Sequence, residues 1–127
     1  MLSDHTPTPT LPTADPERSR AFYEGVLGFT PGEDAVGGLF YPSGDSSFFV
    51  YPSAYAGTNK ATALSFELPA DAFDEVVASL RAAGVSFDTF EAEELTWNDG
   101  VAEMDDMRSV WFSDPDGNIL NVETRTG

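Results

Sequence analysis

The feature that most restricts the fold of this 127-residue chain is a repeat. Ser19, Phe22, Tyr23 and Val26 fall at i, i+3, i+4 and i+7, and Phe73, Val76, Val77 and Leu80 do the same 54 residues later. That spacing puts four side chains on one face of a helix. The surroundings repeat too. An extended stretch precedes each stripe, a glycine (Gly28, Gly84) ends it, and strand-like segments follow. The chain therefore reads as two βαβββ units in one α+β domain, about residues 7–52 and 62–124, with mixed sheets curving around a cleft. Each helix covers one face of its sheet. The face left over is where function is to be sought.

The last hairpin fixes the strand phase best. Asp114 suits the first position of a type I turn, Pro115 pre-sets φ at the second, and Gly117 accepts the left-handed conformation. If Asp114 pairs with Asn118, Phe112 faces Leu120, Val110 faces Val122, Trp111 faces Asn121 and Ser109 faces Glu123. One face is then wholly apolar and needs a core. The other is polar with one large ring. A slip of one residue would bury Glu123 and expose Leu120, so the register is strongly specified.

Earlier elements are cruder. Asp15-Pro16-Glu17 is a helix start, with a capping aspartate, proline at the first helical position and an acid in the first turn. Leu39–Tyr41 and Phe48–Tyr51 read as a hairpin over Pro42-Ser43-Gly44-Asp45. Residues 52–61 form a small-residue linker. Leu64, Phe66 and Leu68 alternate with Ala63, Ser65 and Glu67, a strand buried on one face. Val85-Ser86-Phe87 begins another strand. The acidic stretch Glu91–Glu94 then leads through a Trp97-Asn98-Asp99-Gly100 turn to the final hairpin. The segment Pro7–Pro12 reads either as an edge strand, because Pro7 and Pro9 remove donors on the same side, or as a polyproline arm without a sheet partner. Residues 1–6 read as a disordered tail.

With 22 acids against 6 bases, the net charge is −16. Nucleic acid and anionic membranes are poor partners for such a surface. The charge reads as a solubility feature, of the kind suited to a salty cytoplasm, or as an attraction for cationic ligands. Cysteine is absent, which excludes disulfides, a thiol nucleophile and thiolate-bound metal. No apolar run reaches membrane-spanning length and the first residues do not resemble a signal peptide, so the expected location is the cytoplasm. Nucleotide-binding glycine loops are missing. The lone histidine, His5, lies in the tail away from any serine, which leaves no triad.

Two stretches carry a resemblance. Asp15-Pro-Glu-Arg-Ser-Arg-Ala-Phe-Tyr-Glu-Gly-Val-Leu-Gly-Phe29 and Phe112-Ser-Asp-Pro-Asp-Gly-Asn118 resemble the two signatures of the vicinal oxygen chelate superfamily. That group contains glyoxalase I, the bleomycin resistance proteins and the extradiol dioxygenases. The resemblance covers about residues 7–124 and implies a homodimer with clefts at or near its interface. It also implies where metal ligands would stand: a histidine on the first strand, a histidine on the first strand of the second half, and a glutamate on the last strand. Those positions fall on Thr8, Ala63 and Asn121, and a further carboxylate used by some members falls near Phe49. Zinc and iron sites use imidazole, thiolate or carboxylate, so neither a metal nor another cofactor is expected. Glu67 and Glu123 share the cleft phase, but Mg²⁺ or Ca²⁺ usually takes more oxygen ligands than two carboxylates supply.

The candidate ligand-binding residues are Thr8, Ser65, Glu67, Ser109, Trp111, Asn121 and Glu123, with Trp97 overhanging the mouth and Thr10 and Ala63 alongside. Hydroxyls, two acids and an aromatic plate suit a polar or cationic ligand with a flat part. The same face also reads as a wet groove or a dimer surface, and Trp97 as a plug for a long loop. The expected function is a metal-free small-molecule binding protein of the bleomycin resistance type. The alternative is a lyase or isomerase of the glyoxalase type, with Glu67 or Glu123 as base.

Overall fold

The computed structural model describes residues 1–125. β1 (Thr10–Thr13) leads into α1 (Pro16–Arg20), which continues as a π-helical segment (Ala21–Val26), and β2 (Asp34–Ala35), β3 (Gly38–Ser43) and β4 (Ser46–Pro52) follow. The second half runs β5 (Thr62–Glu67), α2 (Ala70–Ala82), β6 (Thr96–Asn98), β7 (Val101–Met104), β8 (Met107–Ser113) and β9 (Ile119–Arg125). The first sheet has the order β1-β4-β3-β2 and the second β5-β9-β8-β7-β6. In each, the opening strand lies parallel to the closing one, β1 to β4 and β5 to β9, and the other pairs are antiparallel. Both sheets are therefore mixed and open, the α+β architecture expected from the repeat. The second half carries one strand more than that expectation. β6 folds back on β7 over Asp99 and Gly100, whose φ values of 50° and 80° suit a two-residue type I′ hairpin.

The last hairpin has the register read from its sequence. Val110 pairs with Val122, Phe112 with Leu120, Trp111 with Asn121 and Ser109 with Glu123. The Asp114 N–H donates to the Asn118 carbonyl at 2.9 Å and the Gly117 N–H to the Asp114 carbonyl at 3.0 Å. The apolar face is buried in one cluster with Phe73, Val77 and Leu80 of α2. Asp15 caps α1, accepting from the Arg18 N–H at 3.2 Å. Its apolar stripe buries Tyr23 fully, and that ring packs on Tyr41 at 5.6 Å and Phe48 at 5.5 Å. Phe29 meets Phe66 at 6.1 Å, which joins the helix-side cores of the two halves.

Three local expectations are corrected. The first strand begins at Thr10 rather than Pro7, so Thr8 precedes it, exposed; Pro9 supplies only its carbonyl, to the Phe49 N–H at 2.8 Å. Edge position is retained, which suits the one proline inside the strand, Pro12. Val85–Phe87 forms no strand. β7 already occupies the outer edge of β8 as far as Ser109, and only Asp88 finds a partner there, its N–H donating to the Trp111 carbonyl at 2.7 Å. In the tail, Leu2–Asp4 makes an exposed 3₁₀ turn. Among the described residues no helix is long and apolar enough to cross a membrane.

The two halves are stapled by the turn of the last hairpin. The Asp114 carboxylate accepts from the Tyr23 hydroxyl (2.7 Å), the Asn118 side-chain amide (2.8 Å) and the N–H groups of Asp116 (2.9 Å) and Asn118 (2.8 Å). The Asn118 amide also donates to the Pro12 carbonyl at 2.9 Å. Asp116 accepts from the Ala14 N–H at 2.8 Å and from Arg18 at 2.9 Å. Asp114, Asp116 and Asn118 are buried. The start of α1 and the turn satisfy most of these polar atoms in one another, with Asp116 Oδ2 left without a hydrogen-bond partner. Burial, then the neighbouring Asp114 carboxylate, push the Tyr23 hydroxyl far above the ordinary tyrosine range.

Candidate functional site

Register places most of the sequence-derived site on one surface, the face of the second sheet turned away from α2. A row across the strands runs Glu67, Glu123, Ser109, Ala102, Trp97, and the row beside it runs Ser65, Asn121, Trp111. Seven of the eight candidates thus share a face. Thr8 does not lie on this sheet; it sits in the coil ahead of β1.

Phase does not make these side chains free. Ser109 and Asn121 are 0% and 2% exposed. The Asn121 amide nitrogen donates to the Ser109 hydroxyl at 2.5 Å and to the Val110 carbonyl at 3.1 Å. Trp111 and Trp97 lie 6.1 Å apart, and Phe90, from the loop after α2, stands edge-on to both at 5.0 and 5.2 Å. Rings this close to one another touch and leave no room for a cation between them. Trp111 stays half-buried, and Glu123 keeps 18% of its side chain in solvent.

Two residues of this surface were missed. Arg125 lies two places beyond Glu123, so it falls on the same face of β9. Its guanidinium is 3.3 Å from Glu123 and 3.9 Å from Glu67. Strict alternation along β9 would have found it. Phe90 gave no such signal, because it reaches the face from a loop.

The positions where the resemblance puts metal ligands do not fit a metal. Thr8 is exposed outside the sheet, Ala63 has no donor, and Asn121 puts a buried neutral amide where a carboxylate is needed. Among the described residues no three of His, Asp or Glu are grouped to hold an ion. Cations are also committed. Each of the five arginines is paired with a carboxylate: Arg18 with Asp116, Arg20 with Glu24, Arg81 with Asp99, Arg108 with Asp74, and Arg125 as above. Lys60 stands in the exposed linker. The Arg20 hydrogen bonds hold the Glu24 carboxyl below the usual range.

The corresponding face of the first sheet is aromatic. Phe40 and Phe49 are 4.5 Å apart, and Phe49 stacks on Tyr51 at 5.9 Å with planes 4° from parallel. All three are half-buried. On the opposite, helix side of β5, a groove of about 550 Å³ runs between the two halves. Its walls include Leu27, Phe29 and Phe48 from the first half and Leu64, Phe66 and Val76 from the second.

The sequence profile of the Glyoxalase/Bleomycin resistance protein/Dioxygenase superfamily matches residues 4–122. A glyoxalase/bleomycin resistance protein/dioxygenase from Alicyclobacillus acidocaldarius has a similar structure, with a TM-score of 0.75 at 12% identity, covering 98% of this chain and 93% of that one. The fosfomycin resistance protein FosX of Listeria monocytogenes aligns with a TM-score of 0.70 at 14% identity, over 96% and 93% of the two chains. An integron cassette protein from the Halifax Harbour sewage outfall metagenome gives 0.64 at 21% identity, over 91% and 93%. At these identities the structures share the fold alone. No curated protein sequence matches the chain.

Proposed function

The chain belongs to the glyoxalase/bleomycin resistance protein/dioxygenase superfamily, and from that premise we propose that it is a metal-free small-molecule binding protein. In this reading it is a cytoplasmic homodimer, and its ligand lies against the face of the second sheet that carries Trp111, Glu67 and Glu123. The observation that carries the reading is Asn121. At the position of a metal-binding glutamate the chain has a buried amide whose nitrogen is fully used inside the sheet. Such a group fixes strand geometry, and it offers a neutral amide oxygen where zinc or iron sites use a carboxylate. The glyoxalase-type alternative needs a free carboxylate base, and both candidates share Arg125.

The ligand is flat and neutral to cationic. An anion would meet a −16 surface whose arginines are already paired. A cation would gain from Glu67 and Glu123 only what Arg125 leaves, so the aromatic contact matters more than the charge. Within one chain the β5 end of this face is open, with Ser65 and Glu67 exposed. The half-buried Phe40, Phe49 and Tyr51 face of a second copy would close it, which supports the dimer.

Titration with N-methylacridinium tests the proposal. Tryptophan emission is expected to fall saturably, and the affinity to weaken as salt screens the charges. Trp111→Ala should remove most of the quench and lower affinity by about 2- to 30-fold, the range of one stacked cation. An anionic ring of the same shape binding more tightly, or Trp111→Ala binding as wild type, would overturn it. So would elemental analysis finding a stoichiometric transition metal.

A further inference from the structure

We propose that the groove on the helix side of β5 is a second ligand site, for a neutral and largely apolar small molecule. β5 is the partition between the two sites. Leu64 and Phe66, on the helix side of β5, line the groove, and Ser65 and Glu67, in phase with the polar surface, also reach its edge. The groove's volume of about 550 Å³ lies inside the range of roughly 300–1,000 Å³ found for sites that hold drug-sized ligands. Its lining is of the same kind, mostly apolar side chains from both halves with a few polar groups at the mouth.

Several wall residues are only half-buried. Leu27, Phe29, Leu64, Phe66 and Val76 all keep part of their surface in solvent although they pack on the main core. An apolar occupant would remove that surface from water. Charge selects among apolar occupants. Among the described residues the lining has no Lys, Arg or His, and its one charged side chain is Glu67. A fatty acid would bring its carboxylate to that glutamate on a strongly negative protein. Glu67 in turn has Arg125 3.9 Å away, which weakens its pull on a cation. The remaining polar groups are the hydroxyls of Ser43, Ser46, Ser47 and Ser65. They match a carbonyl or hydroxyl on an uncharged ligand.

Nile red, a neutral dye that brightens in apolar surroundings, is the probe. The expected result is saturable uptake at one dye per chain. Val76→Trp, which fills the groove from α2, and Leu64→Glu, which puts a charge in its wall, should each weaken uptake about tenfold or more. Methyl NMR of the unmodified protein covers the case in which neither variant folds: the dye should shift resonances of Leu64, Val76 and Leu80. Non-saturable uptake, variants that bind as wild type, or shifts centred elsewhere would overturn the proposal. It would also fall if light scattering showed that dye binding splits a dimer, since the groove would then be covered by a second copy. The experiment is independent of the cation titration, and either can fail alone.

Discussion

Removing the Tyr23 hydroxyl tests the idea that the most recognisable motif in the chain is a structural staple. Tyr23→Phe deletes one of four donors to the buried Asp114 carboxylate and keeps the ring that packs on Tyr41 and Phe48. A hydrogen bond to a charged group is worth about 1.5–3 kcal/mol, and three donors still satisfy the carboxylate, so a loss of about 2 kcal/mol is expected. In urea the midpoint should fall with the slope unchanged, because the exposed surface on unfolding is the same. At roughly 4 °C per kcal/mol, Tm should drop by ~8 °C. Asp114→Asn in both backgrounds should give a coupling of about 1 kcal/mol or more. If Tyr23→Phe lies within ~0.5 kcal/mol of wild type, the value of an ordinary surface substitution, the bond contributes nothing and the staple argument fails. The folded variant should still bind N-methylacridinium, since Tyr23 is remote from that face.

Burial raises the hydroxyls of both Tyr23 and Tyr41 above their ordinary value of 10.0. The unfolded chain therefore ionises first, stability is full below about pH 10, and it should fall above that by about 1.4 kcal/mol per pH unit for each tyrosine; alkaline urea titrations read the slope. Val36 holds a φ of 49° at the β2–β3 turn and is 95% exposed, so Val36→Asn should raise stability by ~1 kcal/mol in thermal melts. Gly38 has no room for a side chain, because a Cβ would run into the Phe49 ring and the Val50 carbonyl, and Gly38→Ala should cost about 1–3 kcal/mol. Arg125→Gln should tighten N-methylacridinium binding several-fold by leaving Glu67 and Glu123 unpaired, and steepen its salt dependence.

What could be read in the sequence was what local chemistry controls. The Asp114–Asn118 turn and the period of two along β8 and β9 fixed every pair in that hairpin, because a slip of one residue would have exposed Leu120. Tyr23 and Leu80 were placed in the core by helical spacing alone. Partners and edges were harder to see. Thr8 looked like a strand residue until β4 set where pairing begins, and Val85–Phe87 had strand character but no free edge to join. Polar phase was also mistaken for openness. Asn121 and Ser109 point to the non-helix side as expected, yet Phe90 arrives from a distant loop and helps to roof that face. The groove is a further step from the sequence, since it exists only in the gap between two helix-side faces that meet through Phe29 and Phe66.

The staple also sets an order on synthesis. Its bonds join Pro12, Ala14, Arg18 and Tyr23 to Asp114, Asp116 and Asn118, across 91 to 106 residues of chain. A ribosome makes the first helix well before the turn that completes it. Until that turn is made, the helix-side surface around Tyr23 has no hairpin to meet, and Arg18 has no Asp116. The first sheet can pair on its own, but its helix cannot take its final polar partners until Asp114, Asp116 and Asn118 have been made. Loss of the segment that carries Asp114, Asp116 and Asn118 would therefore weaken the first half as well, and the two repeats, although alike in pattern, should not be separable into independently stable fragments.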